Sequence, residues 1–193
     1  MYPYIRFGQT IVNGLVQAVK GQRLKLTDTS EIHFRASVTD IDNFFEMNNG
    51  RILTLFDLGR TDLTIRTGLG KKLLRHGWGV VVAGSSIQYR KRVRWHDPIT
   101  IKTRLVGIDA RWIYIEQTMW VKGHATSMAL IRAGVTNFAT GKVIATDKVL
   151  DAIGLSGLEM PPEAWVQAWI EADKLRPYPE PVSDQQDQQQ NKH

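Results

Sequence analysis

The 193-residue chain has no cysteine. That absence removes disulfide frameworks, thiolate nucleophiles, cysteine-ligated zinc and iron–sulfur clusters at once, and it agrees with a reducing, cytoplasmic setting. Long apolar runs are missing as well. The early stretch from Ile11 to Val19 is interrupted by Asn13, Gly14 and Gln17, so it reads as neither a membrane span nor a signal peptide. No G-x-S-x-G elbow occurs. In "TGLGKKLL" the position six before Lys71 is Ile65, and Lys72 follows where a phosphate loop needs Ser or Thr. His33, His76, His96 and His124 are scattered over a strand and three loops. With no close pair at ligand spacing, neither a metal nor another cofactor is expected.

Acidic residues are outnumbered, 19 against 25 basic, giving a formal charge of +6 and a pI of about 9.7. This excess favours an anionic partner, either nucleic acid, an acidic membrane surface or a phosphorylated small molecule. The 42% apolar content suits a single globular domain with its own core.

Residues 1–30 form an arm containing an amphipathic helix, in which Val12, Leu15, Val16 and Val19 share one face. That face either docks on the body of the protein or rests peripherally on a membrane. From His33 to Thr39 the chain alternates as a half-buried strand. A helix follows from about Asn48 to Gly68, with Ile52, Leu55, Phe56, Gly59 and Leu63 at helical spacing. Leu53 and Leu58 fall off that stripe, so the helix should be wrapped rather than merely laid on a surface. Four β-rich segments come next, "VVVAGSSIQYRKRVRW", "ITIKTRLVGI", "RWIYIEQTMWV" and "ATSMALIRAGVTNFAT", separated by hairpin-like "HDP", "DA" and "KGH". The expected fold class is α+β, with one long helix inserted after the first strand and embraced by a curled, antiparallel, five-stranded sheet. Helices are expected again in "KVIATDKVLDAIG" and, across 156–175, in "PPEAWVQAWIEADKL", while the Gln-rich 176–193 reads as a disordered tail.

The densest polar cluster is "TDIDNFFEMNN", at the head of the long helix. The first helical turn has N–H groups without internal acceptors and a partial positive charge, so a polarised carbonyl placed there is stabilised. Asn48 or Asn49 can cap this end, and Asp42, a few residues upstream, can face whatever docks on the free amides. One backbone donor to a developing oxyanion is worth about 3 kcal/mol, and a positioned base adds more. On residue type alone, Asp40 and Asp42 could equally be turn formers and Asn48 a simple cap.

The stretch "VTDIDNFFEMNNGRILTLFDLGR" resembles the signature of hot-dog-fold acyl-CoA thioesterases of the 4-hydroxybenzoyl-CoA thioesterase type, Asp-x-Asp-x-x-Gly-His-(Val/Met)-Asn-Asn, leading into a central helix. It is closer to a branch with "MNNGR" ahead of "DLGR". The likeness runs roughly from Glu31 to Leu155, so that 31–155 is the expected hot-dog domain, with the extra helices outside it. The resemblance implies that Asp42 acts as base or nucleophile toward the thioester carbonyl, that the amide at about Asn49 polarises it, and that the protein assembles as a homodimer or homotetramer. The usual Gly-His is replaced here by Phe45-Glu46, which sets Glu46 beside the site as a second base or as a solvated side chain.

Three further expectations concern substrate. Arg90, Arg92 and Arg94 in "YRKRVRW" fall on one side of a strand, as phosphate contacts for coenzyme A or as a solvated sheet face. Leu55, Phe56 and Leu58 either bound an acyl channel or belong to the core. Trp95, Trp112 and Tyr114 alternate at strand period and suit packing better than base stacking, so nucleic acid is not an expected partner. Asp57 and Arg60 should pair with each other. The leading expectation is an acyl-CoA thioesterase. The alternative is a non-catalytic acyl-CoA or lipid-binding hot-dog protein; hydratases of this fold need an Asp-x-x-x-x-His arrangement that is not found here.

Overall fold

The structure, a computed structural model, describes residues 2–177. Most of the tail expected at 176–193 lies outside the described residues. The elements in order are α1 (Tyr4–Val19), β1 (Ser30–Arg35), a 3-10 turn (Val38–Asp40), α2 (Asn49–Arg66), α3 (Leu69–Arg75), β2 (Trp78–Tyr89), β3 (Pro98–Ile108), β4 (Ile113–Val121), β5 (His124–Asn137), β6 (Val143–Ile144), α4 (Thr146–Ala152) and α5 (Ala164–Lys174).

Asn48 starts α2. Its side-chain oxygen accepts from the Gly50 and Arg51 amides, and Gly68, in the left-handed region at φ 71, turns the chain into α3. Ile52, Leu55, Phe56, Leu58, Gly59 and Leu63 are all buried, so α2 is wrapped on more than one side, as expected. Each large side chain so buried contributes about 1.5–3 kcal/mol. The sheet runs β1-β3-β4-β5-β2, with β6 added beside β5, and every pairing is antiparallel. Its inner face packs on α2 to form the main core. On the outer face, Val166 and Ile170 of α5 meet Val106, Tyr114 and Leu130. A long helix held against a curled antiparallel sheet is the hot-dog fold, here with extra helices at both ends.

Three local expectations are corrected. The segments before and after "HDP" are not a hairpin, because β2 pairs with β5 at one edge and β3 lies between β1 and β4. Residues 90–95, expected as the end of that strand, form the crossover 90–97 together with the first two residues of "HDP". That segment bonds elsewhere: Val93 O accepts from Met47 N at 2.8 Å, and Asp97 O accepts from Ala36 N at 3.0 Å. The first strand also ends early, at Arg35, because Ser37 caps the 3-10 turn.

The third correction concerns α1, which packs on α2 through the side opposite to its valines. Gly14 is buried there, and a Cβ on it would stand 3.2 Å from both Asp62 Oδ1 and Ile65 Cγ2. Val12, Leu15, Val16 and Val19 are exposed instead.

Gly59 is where the sheet comes nearest to α2. A Cβ there would lie 2.5 Å from Thr103 Oγ1 and 3.0 Å from both Gln117 Nε2 and Ile101 Cγ2. On an open helix surface, Gly59→Ala would gain about 1 kcal/mol from propensity. Here overpacking of about 1–3 kcal/mol should outweigh it, so urea unfolding of the variant is expected at a lower midpoint; a higher midpoint would show that the sheet can yield.

Candidate active site

The two aspartates of the polar cluster part company in the structure. Asp40 is 1% exposed. Its Oδ2 accepts from Arg6 at 2.7 Å and from the Ser37 amide at 2.8 Å, while Oδ1 faces Arg51 Nε at 3.2 Å. The Asp40 carbonyl also takes the Asn48 amide at 2.9 Å. A buried carboxylate so surrounded is a structural anchor, since taking any of its partners away leaves charge without compensation.

Two residues on, the chain makes a small loop closed by a bridge between Ile41 and Met47 and by Asp42 N donating to Glu46 O at 2.8 Å. Within it Asp42 is half-buried. One of its carboxylate oxygens accepts from Phe44 N at 2.8 Å, which fixes the side chain without enclosing it. Asp42 borders a cleft of about 480 Å³ with Tyr2, Asn48, Gly50, Arg51 and Thr54.

A second cleft, of about 280 Å³, flanks the same first turn of α2 and is bordered by Glu46, Asn49, Tyr89, Arg90 and Arg92. The Asn49 amide has no acceptor among the described residues, because the Asn48 cap serves the next two amides instead. Glu46 pairs with Arg92 at 2.9 Å, and Arg90 donates to Gln88 at 3.1 Å. Tyr89 O–H reaches the Asn49 carbonyl at 3.4 Å, and burial raises its phenol pKa. The predicted Asp42, Glu46, Asn49, Arg90 and Arg92 are therefore gathered at one helix end, divided between two clefts. Arg94 is exposed further along the crossover.

The apolar residues expected near substrate sit elsewhere. Leu55, Phe56 and Leu58 are at 0–1% exposure in the core, the second of their two readings, and Leu58 also edges a cavity. Another cavity, of about 270 Å³, opens between α2 and the sheet among Leu63, Ile65, Val80, Val82, Leu105 and Ile115. A polar chain enters it. Arg60 pairs with Asp57 at 3.0 Å, as expected, and donates to Gln117 at 2.5 Å; Tyr2 O–H donates to Asp57 at 2.7 Å. Burial lowers the Arg60 pKa and, together with the hydrogen bond to Asp57, raises that of Tyr2. Sequence reading missed Gln117. Its signal was a lone amide in phase with the inward-facing Ile115 and Met119.

Phe45 replaces the glycine of the resembling signature, yet it holds a glycine-like φ of 60° with its ring 84% exposed. The left-handed conformation costs a non-glycine residue roughly 1–2 kcal/mol, and little burial is lost with the ring. Phe45→Gly should accordingly raise the unfolding free energy by about 1 kcal/mol, read as a higher urea midpoint. A lower midpoint would show that the ring itself supports the fold.

Residues 36–170 match the family model described as the thioesterase-like superfamily. The protein THEM6 of Drosophila melanogaster is 30% identical over 128 residues, 65% of this chain and 66% of that protein. The matches span from about half to about two thirds of the length of the THEM6 relatives. Among solved structures, the YbaW Probable Thioesterase from Escherichia coli superposes with a TM-score of 0.61 at 19% identity, covering 65% of this chain and 97% of that one. Staphylococcus aureus SAV2348, in complex with CoA, gives 0.60 at 13% identity, covering 82% of this chain and 99% of that one. With a family match over most of its length and a hot-dog architecture around the matched residues, the chain belongs to the thioesterase-like superfamily.

Proposed function

We propose that the protein is a thioester hydrolase acting on a fatty or aromatic acyl-CoA, with Asp42 as base or nucleophile and the Asn49 amide as oxyanion donor. The observation that carries this reading is the head of α2. A carboxylate open to a cleft and a backbone N–H without an acceptor flank one helix turn, whose partial positive charge favours a developing oxyanion. As base, Asp42 takes a proton from water while the oxygen adds to the carbonyl carbon; the C–S bond then breaks and the thiolate leaves with that proton. As nucleophile, its carboxylate oxygen adds to the carbonyl carbon, the C–S bond breaks and the thiolate leaves; water then opens the resulting mixed anhydride, freeing the acid and the Asp42 carboxylate and supplying the proton that the thiolate takes.

Arg90 and Arg92 border the Asn49 cleft, beside exposed Lys91, and suit the phosphates of coenzyme A. The CoA complex of SAV2348 supports the same substrate class. The cavity between α2 and the sheet, rather than the buried Leu55, Phe56 and Leu58, offers apolar walls to an acyl chain. Glu46, held by Arg92, serves better as a positioning group for that arginine than as a base. The cytoplasm is the setting that the cysteine-free sequence favours.

The same reading includes a homodimer. β2 is an edge strand, and its sequence from Trp78 to Tyr89 contains neither a charge nor a proline to blunt that edge. Val80, Val81 and Val82 are 40–52% exposed along it. Pairing two β2 edges across a twofold axis would join the sheets and cover them. Val81→Lys should convert a sedimenting dimer to monomer; a wild-type monomer overturns this assembly, and a tetramer shows a second interface.

Asp42→Asn keeps an oxygen to accept from Phe44 N, so the fold should survive. Thiol release across acyl-CoAs of increasing length should fall at least about 100-fold in kcat, with the thermal midpoint unchanged. Undiminished release would remove Asp42 from the chemistry. Acyl-CoA binding without thiol release by the wild type would leave the alternative, a non-catalytic binding protein.

A further inference from the structure

The outward side of α1 is apolar, and its inward side is partly polar. Viewed down the axis at 100° per residue, Tyr4, Leu15, Val19, Val12, Ile5 and Val16 fall in one continuous arc of about 120°, interrupted only by Gly8. Every one of them is exposed, Ile5 at 81% and Val19 at 87%. The opposite arc faces the body of the protein: Arg6, Thr10 and Gln17 line a cavity with residues of β1 and α2, Phe7 and Ile11 are partly buried, and Gly14 is buried against α2. No rotation of the helix about its axis is available to hide the valines. Arg6 is tied to Asp40 and to the Arg35 carbonyl, and Gly14 allows the close approach to Asp62 and Ile65.

Charge decides what covers that arc. From Tyr2 to Thr27 there is no aspartate or glutamate, whereas Lys20, Arg23 and Lys25 follow one another at the end of the helix and are exposed. A second copy would offer the same acid-free segment and no counter-charge. A bilayer bearing anionic headgroups supplies both an apolar layer for the arc and opposite charge for the cations.

We propose that α1 lies in the plane of an anionic lipid surface, with Ile5, Val12, Leu15, Val16 and Val19 entering the headgroup boundary and Lys20, Arg23 and Lys25 contacting lipid phosphates or carboxylates. This goes beyond the hydrolase reading and does not rest on it. It also places the cleft near the membrane, since Tyr2, just before α1, lines the same cleft as Asp42.

The test is co-sedimentation of the full chain with vesicles of phosphatidylcholine alone or mixed with phosphatidylserine. Wild type should bind the mixed vesicles at least about tenfold more strongly than the neutral ones, with the difference shrinking as salt is raised. Val12→Glu with Val16→Glu should lose at least about tenfold in binding, and Lys20→Glu with Arg23→Glu should abolish the preference for phosphatidylserine. All four positions are exposed, and circular-dichroism melting checks that the fold is kept. Equal binding by the Val12, Val16 variant overturns the proposal, as does absence of wild-type binding. A wild-type self-association abolished by the same variant also overturns it, because the arc would then belong to a second copy. Thiol release measured without vesicles reports on the hydrolase reading separately, so either can fail while the other stands.

Discussion

The charge of Asp40, buried at 1% exposure, is the constraint on which the arrangement of the site depends. A carboxylate removed from water must find opposite charge and hydrogen-bond donors in fixed places, and breaking such a set is costly. Asp40 draws its partners from three separate parts of the chain: hydrogen bonds from Arg6 in α1 and Ser37 in the turn after β1, and an ion pair with Arg51 in the first turn of α2. Its backbone carbonyl receives Asn48, the residue that caps α2. The docking of α1, the bend after β1 and the start of the central helix are consequently settled by one group.

Fixing the helix start at Asn48 has a chemical consequence. The cap oxygen takes the amides of Gly50 and Arg51, so the amide left over is that of Asn49. The crossover 90–97 is held nearby through Val93 O to Met47 N and Asp97 O to Ala36 N. Arg90 and Arg92 therefore stand beside that amide as a result of backbone pairing, whatever their own side-chain contacts. Under the hydrolase reading, an oxyanion donor, a carboxylate and cations for phosphate are assembled by the start of α2, the loop before it and the crossover, tied together by backbone hydrogen bonds, which is a form of preorganisation.

Much of this architecture can be read from the sequence, and the parts that cannot share a physical cause. α2 is legible because a capping asparagine, apolar residues at helical spacing and a glycine stop agree with one another. The candidate corner is legible as a cluster, and the resemblance points to Asp42 rather than Asp40, but residue type alone could not tell the buried aspartate from the open one. The sheet order escapes local reading. "HDP" has hairpin composition, yet β2 crosses to pair with β5, because pairing is chosen by long-range burial rather than by the connection. Gln117 escapes for a similar reason: its side chain donates to the Phe56 carbonyl and to Thr103 and accepts from Arg60, groups far apart in the chain.

α1 shows that periodicity alone does not say which side of an amphipathic helix turns inward, and of the two readings open for its apolar face the structure excludes docking on the body. The rule that an amphipathic helix turns its apolar face inward presumes that the surface it meets is apolar. Here the outer side of α2 presents Asp62, which Ser30 and Arg66 already engage, and the adjacent corner presents Asp40. A surface carrying two buried carboxylates is matched better by Arg6, by the polar Thr10 and Gln17, and by a glycine that lets the backbones close up than by four valines and leucines. The electrostatics of the corner thus select the polar side of α1 for the interior and leave the apolar side outward, so the exposed arc follows from the anchoring of the site.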